Sequence, residues 1–525
     1  MAFVDTGDRS DGRADRTFKR LIAVLATLIF VLSSSQAAAN GWEHAAISFD
    51  ALVTALNFEH PETRRRAAES LGLRGDPRAL PPLRERLALP ERNPFVRDAI
   101  YTALGRLGDE KDSPTLIACI ETESREEIRA RCTAALGQLR APQGRDMLLN
   151  LADSDTEPGS VKSAAVLALS AYPEPKVIAE LGRIAGTRDA RVPAAVAALG
   201  SSGATSATAH LLAVLDSTED PKLRALCIVA LGMIGDASSV PALVEIAETE
   251  TDPGLRIRAV AALASVESGS PTTALIELLS DPVPGIQLFA IHGLYQSNAK
   301  EAGGPLAQYA ERSASRLIDY AEEGWQHNAT QALETLSLLT PALRALADLD
   351  PDAGATAMIS TARLADPGAV GADTLRLKDA LYRGRRAALY GLGYASSDPA
   401  LETLLSAAGL RNSDPRLRAV AVRSIAIHGR PQTVPELLRA LDDPAPEVRM
   451  TAARVLGLMQ AKNAMPALRH RLADSNRQVR VEAATALGLL HDLQAAPDLT
   501  ALASSDPEQS VRTAAQLSLQ RLQNR

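Results

Sequence analysis

The segment from Leu437 to Leu490 contains one sequence unit written almost twice. Each copy has a Val-Arg pair followed by a Leu-Gly pair, and the two leucines, Leu456 and Leu487, lie 31 residues apart. A fixed period near this length is typical of a solenoid of helix pairs, in which each repeat buries its apolar face only against its neighbours. The length of 525 residues allows either several compact domains or one long array, and the repeat favours the array.

The Leu-Gly position recurs along most of the chain at steps of 30 to 33 residues, with one interruption. Its leucine or isoleucine stands at thirteen places: Leu71, Leu104, Leu136, Leu169, Leu199, Leu231, Leu263, Leu294, Leu392, Ile425, Leu456, Leu487 and Leu519. Aromatic residues make up only 3% of the chain, which favours closely packed helices over sandwiches or barrels. These features predict an all-α fold.

Each repeat reads as two helices joined by a turn. The turn often contains Asp-Pro, because Asp accepts hydrogen bonds from the free N–H groups at a helix start and Pro tolerates the first helical turn. The second helix runs from the Val-Arg pair to the Leu-Gly pair. The glycine of that pair either ends the helix or permits close approach of another backbone.

The combination of Asp-Pro, Val-Arg, Ala-Ala and Leu-Gly resembles the HEAT repeat family, in particular the short bacterial HEAT-like repeats named after phycobilisome lyases. The resemblance covers residues 49 to about 296 and 384 to 523. It implies a right-handed α-solenoid of about 13 helix pairs whose second helices line the concave side. It also implies a structural ladder in which turn aspartates pair with second-helix arginines: Arg224, Arg256, Arg418, Arg449, Arg480 and Arg512. It indicates no particular ligand, because such repeats serve many functions.

The period fails between residues 297 and 383, where the helical patterns are longer. The patterns there run over 305–325, 327–347, 353–365 and 375–394. The sequence therefore predicts four parts: 1–39 as a signal peptide or membrane anchor, 40–296 as an N-terminal repeat array, 297–383 as a divergent segment of longer helices, and 384–525 as a C-terminal repeat array.

Aromatic residues concentrate around this interruption. Tyr and Trp, together with Arg, dominate interface hot spots because they bury a large area with few rotatable bonds. Tyr382, Arg386, Tyr390 and Tyr394 follow an i+4 spacing that places them along one stripe of a helix. The candidates for binding a protein segment are Tyr309, Tyr320, Trp325, Tyr382, Arg386, Tyr390 and Tyr394. The alternative is that these large side chains fill the wider gaps between irregular helices.

The first 40 residues have the layout of a secretory signal peptide. Arg16, Lys19 and Arg20 precede a twelve-residue apolar run, 21–32, and Ala37 and Ala39 offer a small-x-small cleavage site before Asn40. The run is shorter than the roughly 20 residues that span a bilayer. We therefore predict an exported protein, periplasmic or secreted, with anchoring to the inner membrane by residues 21–32 as the alternative.

The chain contains three cysteines, an odd and small number for an exported protein. Cys132 and Cys227 each lie four residues before the leucine of a repeat, where alanine stands in other repeats, which indicates a tight helix-packing position. A bridge between Cys119 and Cys132 is the alternative for that pair.

No motif for a phosphate loop, a nucleophile elbow, a zinc protease or a Cys-x-x-Cys site occurs in the sequence, and the eight histidines lack metal-ligand spacing. A net charge of -7 gives no basic footprint for nucleic acid. The sequence therefore predicts a non-catalytic protein-interaction scaffold of the bacterial cell envelope, with no cofactor, no metal and a protein partner. The alternative is an enzyme or enzyme accessory of the lyase-like kind, with a ligand site in the irregular middle segment.

Overall fold

The computed structural model describes residues 47–266, 271–365 and 372–523. Within these ranges the chain forms 28 α-helices and no β-strand, which confirms the all-α fold. The predicted signal peptide, residues 1–39, lies outside the described residues. The chain divides into two compact units, Met1–Pro271 and Thr272–Arg525, here called the N-terminal and C-terminal units. The boundaries predicted from the sequence, after residues 296 and 383, differ from this division because they mark where the repeat spacing stops and resumes.

Helices of the N-terminal unit alternate between the first helix of a repeat (A) and the second (B), so that odd-numbered helices are A and even-numbered helices are B. They are α1 (Phe49–Ala55), α2 (Pro61–Arg74), α3 (Leu80–Ala88), α4 (Pro94–Leu107), α5 (Ser113–Thr122), α6 (Glu126–Leu139), α7 (Pro142–Asp153), α8 (Gly159–Ala168), α9 (Pro175–Ala185), α10 (Val192–Ser202), α11 (Thr208–Ser217), α12 (Pro221–Ile234), α13 (Val240–Thr249) and α14 (Pro253–Leu263).

The C-terminal unit continues the same alternation of A and B helices. They are α15 (Thr272–Glu277), α16 (Pro284–Gln296), α17 (Gly303–Glu323), α18 (Ala329–Leu349), α19 (Ala355–Arg363), α20 (Ala372–Leu392), α21 (Asp398–Leu405), α22 (Pro415–His428), α23 (Val434–Ala440), α24 (Pro446–Leu458), α25 (Met465–Arg471), α26 (Arg477–Leu489), α27 (Ala496–Ser505) and α28 (Gln509–Gln523).

The interval without the repeat signature holds regular helix pairs with longer members. Helices α17, α18 and α20 each have 21 residues. Helix α18 packs against α16 on one side and α20 on the other, as successive B helices do elsewhere. It is a B helix without a Leu-Gly pair, so counting Leu-Gly positions overlooks it. Together with its partner α17 it adds one pair to the thirteen that the sequence shows.

The Leu-Gly pair brings successive B helices into close contact. Leu456 is fully buried, and a Cβ added to Gly457 would lie 2.7 Å from the Cβ of Ala486 on the next B helix. Apart from α20, which ends at Leu392 just before Gly393, the helices with a Leu-Gly pair continue past this glycine. Several end a few residues later at a different glycine in the left-handed region, such as Gly235 with φ 68° and Gly429 with φ 71°. Of the two roles left open for the Leu-Gly glycine, close approach is the one observed.

An arginine at the fourth position of the B helices joins two successive turns. Arg449 donates from Nε and Nη2 to the two carboxylate oxygens of Asp474, each at 2.8 Å. Its Nη1 donates to the carbonyls of Asp443 and Pro444, at 2.8 and 3.0 Å. Burial of Asp474 opposes ionisation, but hydrogen bonds from Arg449 and from the N–H of Asn476 outweigh it and lower the pKa of Asp474.

The other arginines of the predicted ladder occupy the same helix position and differ in what they contact. Arg418 pairs with Asp443, Arg480 with Asp506 and Arg224 with Glu250, while Arg256 donates to the carbonyl of Ala247 and Arg512 to the carbonyls of Asp506 and Pro507. Three further arginines at this position pair with glutamates: Arg64 with Glu91, Arg97 with Glu123 and Arg129 with Glu157. The Asp-Pro signal does not detect these three, because their acid is a glutamate.

The two cysteines of one repeat form a disulfide. Cys119 lies on α5 and Cys132 on α6, with their Cα atoms 6.4 Å apart. Cys132 thus occupies the expected position at a helix contact, and its contact is covalent. Cys227 is the free cysteine of the described residues and is buried, and this burial raises the pKa of its thiol to about 12.

Candidate functional site

Two exposed tyrosines meet at the end of α20. The rings of Tyr390 and Tyr394 pack edge to face, with centroids 5.2 Å apart and an interplanar angle of 65°. Their hydroxyl oxygens lie 2.8 Å apart, within hydrogen-bond distance. Tyr390 is 37% exposed and Tyr394 is 44% exposed, so a substantial part of each ring faces solvent. The i+4 spacing of these two residues along the helix produces the contact.

A third tyrosine and a carboxylate extend this cluster across neighbouring B helices. Tyr295 on α16 is also largely exposed, and its hydroxyl donates to Oδ2 of Asp348 on α18 at 3.0 Å. That hydrogen bond, with partial burial, raises the pKa of Tyr295. Partial burial, the hydrogen bond to Tyr390 and the nearby carboxylate of Asp348 raise the pKa of Tyr394. Tyr295, Asp348, Tyr390 and Tyr394 are called the tyrosine surface below.

The tyrosine surface offers neutral hydroxyl groups at physiological pH, because a phenol ordinarily ionises only at about pH 10. The raised pKa values of Tyr295 and Tyr394 move ionisation of those two further from neutrality. The tyrosine surface combines exposed ring faces with hydroxyl donors and acceptors and one carboxylate. Arg344 and Arg423, both exposed, lie close enough to act electrostatically on Tyr295 and Tyr394 respectively. Tyrosine and arginine are residue types that are enriched at protein interfaces.

The stripe predicted on α20 divides into an exposed part and a packed part. Arg386 is exposed, one turn before Tyr390. Tyr382 is half-buried, and the guanidinium of Arg416 from α22 lies 4.1 Å from its ring centroid. Tyr382 therefore packs against the following B helix through a cation–π contact, while Arg386 extends the exposed part.

The three predicted residues that precede this stripe are more enclosed. Tyr309 is buried, and its hydroxyl donates to Oε1 of Gln287 at 2.8 Å. Burial raises the pKa of Tyr309 to about 12. Trp325 is buried and Tyr320 is half-buried. Tyr309 and Trp325 therefore fit the alternative interpretation, in which large side chains fill the gaps between the longer helices.

Sequence reasoning did not select Tyr295 or Asp348. Tyr295 directly follows a Leu-Gly-type position at Leu294, where a large exposed aromatic residue replaces the usual glycine, and this was the available signal. No sequence feature marked Asp348 as a site residue, because α18 lacks the Leu-Gly pair from which the register of a B helix is read. Among the described residues, no group of three or more His, Cys, Asp or Glu side chains is placed to hold a metal ion. No helix in the described ranges is long and apolar enough to cross a membrane.

Comparison with known families identifies the repeats. The profile of HEAT repeats matches residues 49–137, 113–200, 193–264, 374–451 and 434–520. The chain belongs to the HEAT repeat family. The matched ranges omit α15 to α19, where the helix pairs continue although the repeat signature is lost from the sequence after about residue 296. A comparison with curated protein sequences found no match.

Solved structures of HEAT-repeat proteins share the fold at low sequence identity. A crystal structure of importin beta is 14% identical, with a TM-score of 0.51, and the match covers 92% of this chain and 74% of that one. A structure of Kap95p with RanGDP is 13% identical, with a TM-score of 0.50, covering 98% of this chain and 77% of that one. The CpcE–CpcF complex of phycocyanin lyase from Nostoc sp. PCC7120 is 20% identical and covers 46% of this chain and 97% of that one, with a TM-score of 0.34. The likeness to importin beta and Kap95p shows the α-solenoid fold.

Proposed function

We propose that this HEAT-repeat protein is a non-catalytic scaffold that binds a protein segment through the tyrosine surface and Arg386. The observation that carries the proposal is the exposed aromatic cluster on α16, α18 and α20. Aromatic residues are scarce in this chain, at 3%, yet three of the most exposed lie together with a carboxylate. Tyrosine and arginine dominate interface hot spots, and large aromatic side chains left in water serve no packing purpose.

Solved neighbours illustrate how such a surface is used. Two of them are structures of Kap95 with another protein, RanGDP in one and Nup1 in the other. Only the use of a HEAT solenoid to bind protein is carried over to this chain, because identities of 13% support the fold alone. An extended or helical segment that lies across successive B helices would contact Tyr295, Asp348 and Tyr390 in turn.

The binding proposal is tested by substituting the exposed members only. Arg386→Ala, Tyr390→Ala and Tyr394→Ala are combined in the mature chain, and partners are captured from envelope extracts and quantified by mass spectrometry. Because all three side chains lie at the surface and none belongs to the buried core, we expect the far-UV circular dichroism and melting temperature to change little while capture falls at least tenfold. Arg439→Ala, at an exposed position of A helix α23, is the matched control. Unchanged capture, or an equal loss with the control, contradicts the proposal.

We also propose that the protein is exported from a bacterial cytoplasm to the periplasm or beyond. Two features support export: the signal-peptide layout of residues 1–39 and the pairing of Cys119 with Cys132, since disulfides persist in oxidising compartments. N-terminal sequencing of the protein from native cells tests this. A mature N-terminus at Asn40 is expected. An intact Met1 on protein in the soluble cytoplasmic fraction contradicts export, and an intact Met1 on membrane-bound protein supports the anchor instead of cleavage.

A further inference from the structure

A depression on the first B helices of the N-terminal unit contains a buried carboxylate with one oxygen that lacks a hydrogen-bond partner among the described residues. Its volume is about 300 Å³, at the lower end of the range for small-molecule sites. That size suits one side chain or one small charged group. Residues of α2, α4 and α6 line it, among them Glu62, Arg65, Glu69, Phe95, Asp98 and Arg131.

Asp98 is the centre of this depression. It is only 5% exposed, and its Oδ2 accepts a hydrogen bond from Nη1 of Arg131 on the next B helix. Its Oδ1 is buried and has no hydrogen-bond partner among the residues that the structure describes. A buried carboxylate oxygen without a donor loses its hydration uncompensated, and burial accordingly raises the pKa of Asp98. Oδ1 is therefore an acceptor that a positively charged donor would stabilise.

Arg65 does not donate to Oδ1 of Asp98, because its guanidinium already donates to the carboxylates of Glu62 and Glu69. Nε and Nη2 of Arg65 donate to the carboxylate of Glu62 at 2.8 and 2.6 Å, and Nη1 contacts Glu69. The depression thus has three carboxylates against the guanidiniums of Arg65 and Arg131, a formal charge of -1. A cation entering it would balance the charge.

The aromatic ring of Phe95 lines the same depression as Asp98. Phe95 is 63% exposed and lies three residues before Asp98 on α4, so the two side chains are neighbours on one helix face. Phe95 is held at the helix start by Asn93, whose Oδ1 accepts from the Phe95 N–H at 2.9 Å. An exposed ring beside a carboxylate combines a cation–π face with a charged acceptor, the two groups that recognise an organic cation.

We propose that this depression binds an organic cation, a guanidinium or primary ammonium group, with Asp98 Oδ1 as acceptor and the Phe95 ring as its stacking face. The cation is either an arginine or lysine side chain of a protein segment or a free small molecule. The proposal does not depend on the tyrosine surface, which belongs to the C-terminal unit.

The test uses the full mature chain and defined probes. Binding of N-acetyl-arginine amide, methylguanidinium and the neutral N-acetyl-citrulline amide is measured by saturation-transfer NMR and calorimetric titration. We expect the two cations to bind and the citrulline probe not to bind. Asp98→Asn should weaken cation binding tenfold to a hundredfold, the range for a hydrogen bond to a charged group. Phe95→Ala should weaken it roughly two- to fivefold.

The matched control is Glu127→Gln on α6, an exposed carboxylate outside the depression, which should leave binding unchanged. Tighter binding of the arginine amide than of methylguanidinium assigns the site to a protein side chain, and the reverse order assigns it to a small molecule. The proposal is overturned if neither cation binds the unmodified chain at millimolar concentration. Equal binding of the citrulline probe, or unaltered binding to Asp98→Asn, also overturns it.

Discussion

Replacing Arg449 with methionine should lower the free energy of opening of α24 and α26 by about 3–5 kcal/mol, the range for removing one partner of a buried ion pair. The side chains of Arg449 and Asp474 are only 12% and 3% exposed. Methionine keeps much of the side-chain volume but removes the two hydrogen bonds from Arg449 to the buried Asp474 carboxylate, which keeps the longer contact of 3.6 Å with Nη1 of Arg471. It also removes the donor to the carbonyls of Asp443 and Pro444, so the turn before α24 and the turn before α26 lose their link.

The same helix provides a matched control. Arg454 also forms an ion pair, with Glu482 on the next B helix, but its side chain is 47% exposed. A solvated pair of this kind contributes at most about 1 kcal/mol. Arg454→Met therefore makes the same chemical change five residues along α24, without burying an unpaired charge.

Hydrogen–deuterium exchange with mass spectrometry measures both variants. At about 1.4 kcal/mol per factor of ten, amides of α24 and α26 should exchange roughly two to three and a half orders of magnitude faster in Arg449→Met. They should exchange less than about tenfold faster in Arg454→Met. Equal acceleration in the two variants would refute the reasoning that the buried ladder holds successive repeats together.

The ladder also sets a pH dependence. The pKa of Asp474 is lowered in the folded chain, so its stabilising effect is present above the ordinary aspartate pKa of about 3.9 and is lost as pH falls through the folded value. The difference in stability between the unmodified chain and Arg449→Met should therefore shrink on acidification. Urea denaturation at pH 7 and near pH 3 checks this, and a difference that grows on acidification would contradict it.

Three further predictions follow from local packing. Gly457→Ala should destabilise the C-terminal unit by about 1–3 kcal/mol through overpacking, whereas Gly159→Ala, which has open space around its Cβ position, should be neutral or stabilising in thermal melts. Replacing Cys119 and Cys132 by serine should cost about 2–3 kcal/mol, the range for a short closed loop, and non-reducing peptide mapping should show that bridge in the unmodified chain. Cys227 should resist maleimide until the chain is unfolded, because it is buried and protonated, so rapid labelling of the native protein would contradict the structure.

The fold was predictable because the same residue types recur at the same positions of successive repeats. The Leu-Gly pair, the arginine at the fourth position of the B helix and the turn acid recur at one period, so one repeat predicts the next. The pair of α17 and α18 was not predicted as a repeat, because α18 lacks the Leu-Gly pair. Its packing between α16 and α20 is what identifies it as a B helix. The glutamate partners of Arg64, Arg97 and Arg129 were missed because a glutamate replaces the aspartate in the turn before the next B helix, and no Asp-Pro pair marks that turn.

The candidate site was only partly predictable. The i+4 spacing of Arg386, Tyr390 and Tyr394 places them on one helix face, but burial depends on the neighbouring helices. Periodicity alone could not separate the exposed Tyr390 from the buried Tyr309. Asp348 could not be found, because its contact with Tyr295 joins residues 53 positions apart on helices whose relative register no motif sets.

The central claim, that the tyrosine surface binds a protein segment, is tested most directly by site-specific photocrosslinking. A benzophenone amino acid replaces Tyr390 in one version of the full chain and Arg439, on A helix α23, in the other, and both are irradiated in living cells at native expression level. We predict a discrete crosslinked protein from position 390, competed by excess unmodified chain, and none from position 439. No crosslink at 390, or the same products from both positions, would contradict the account.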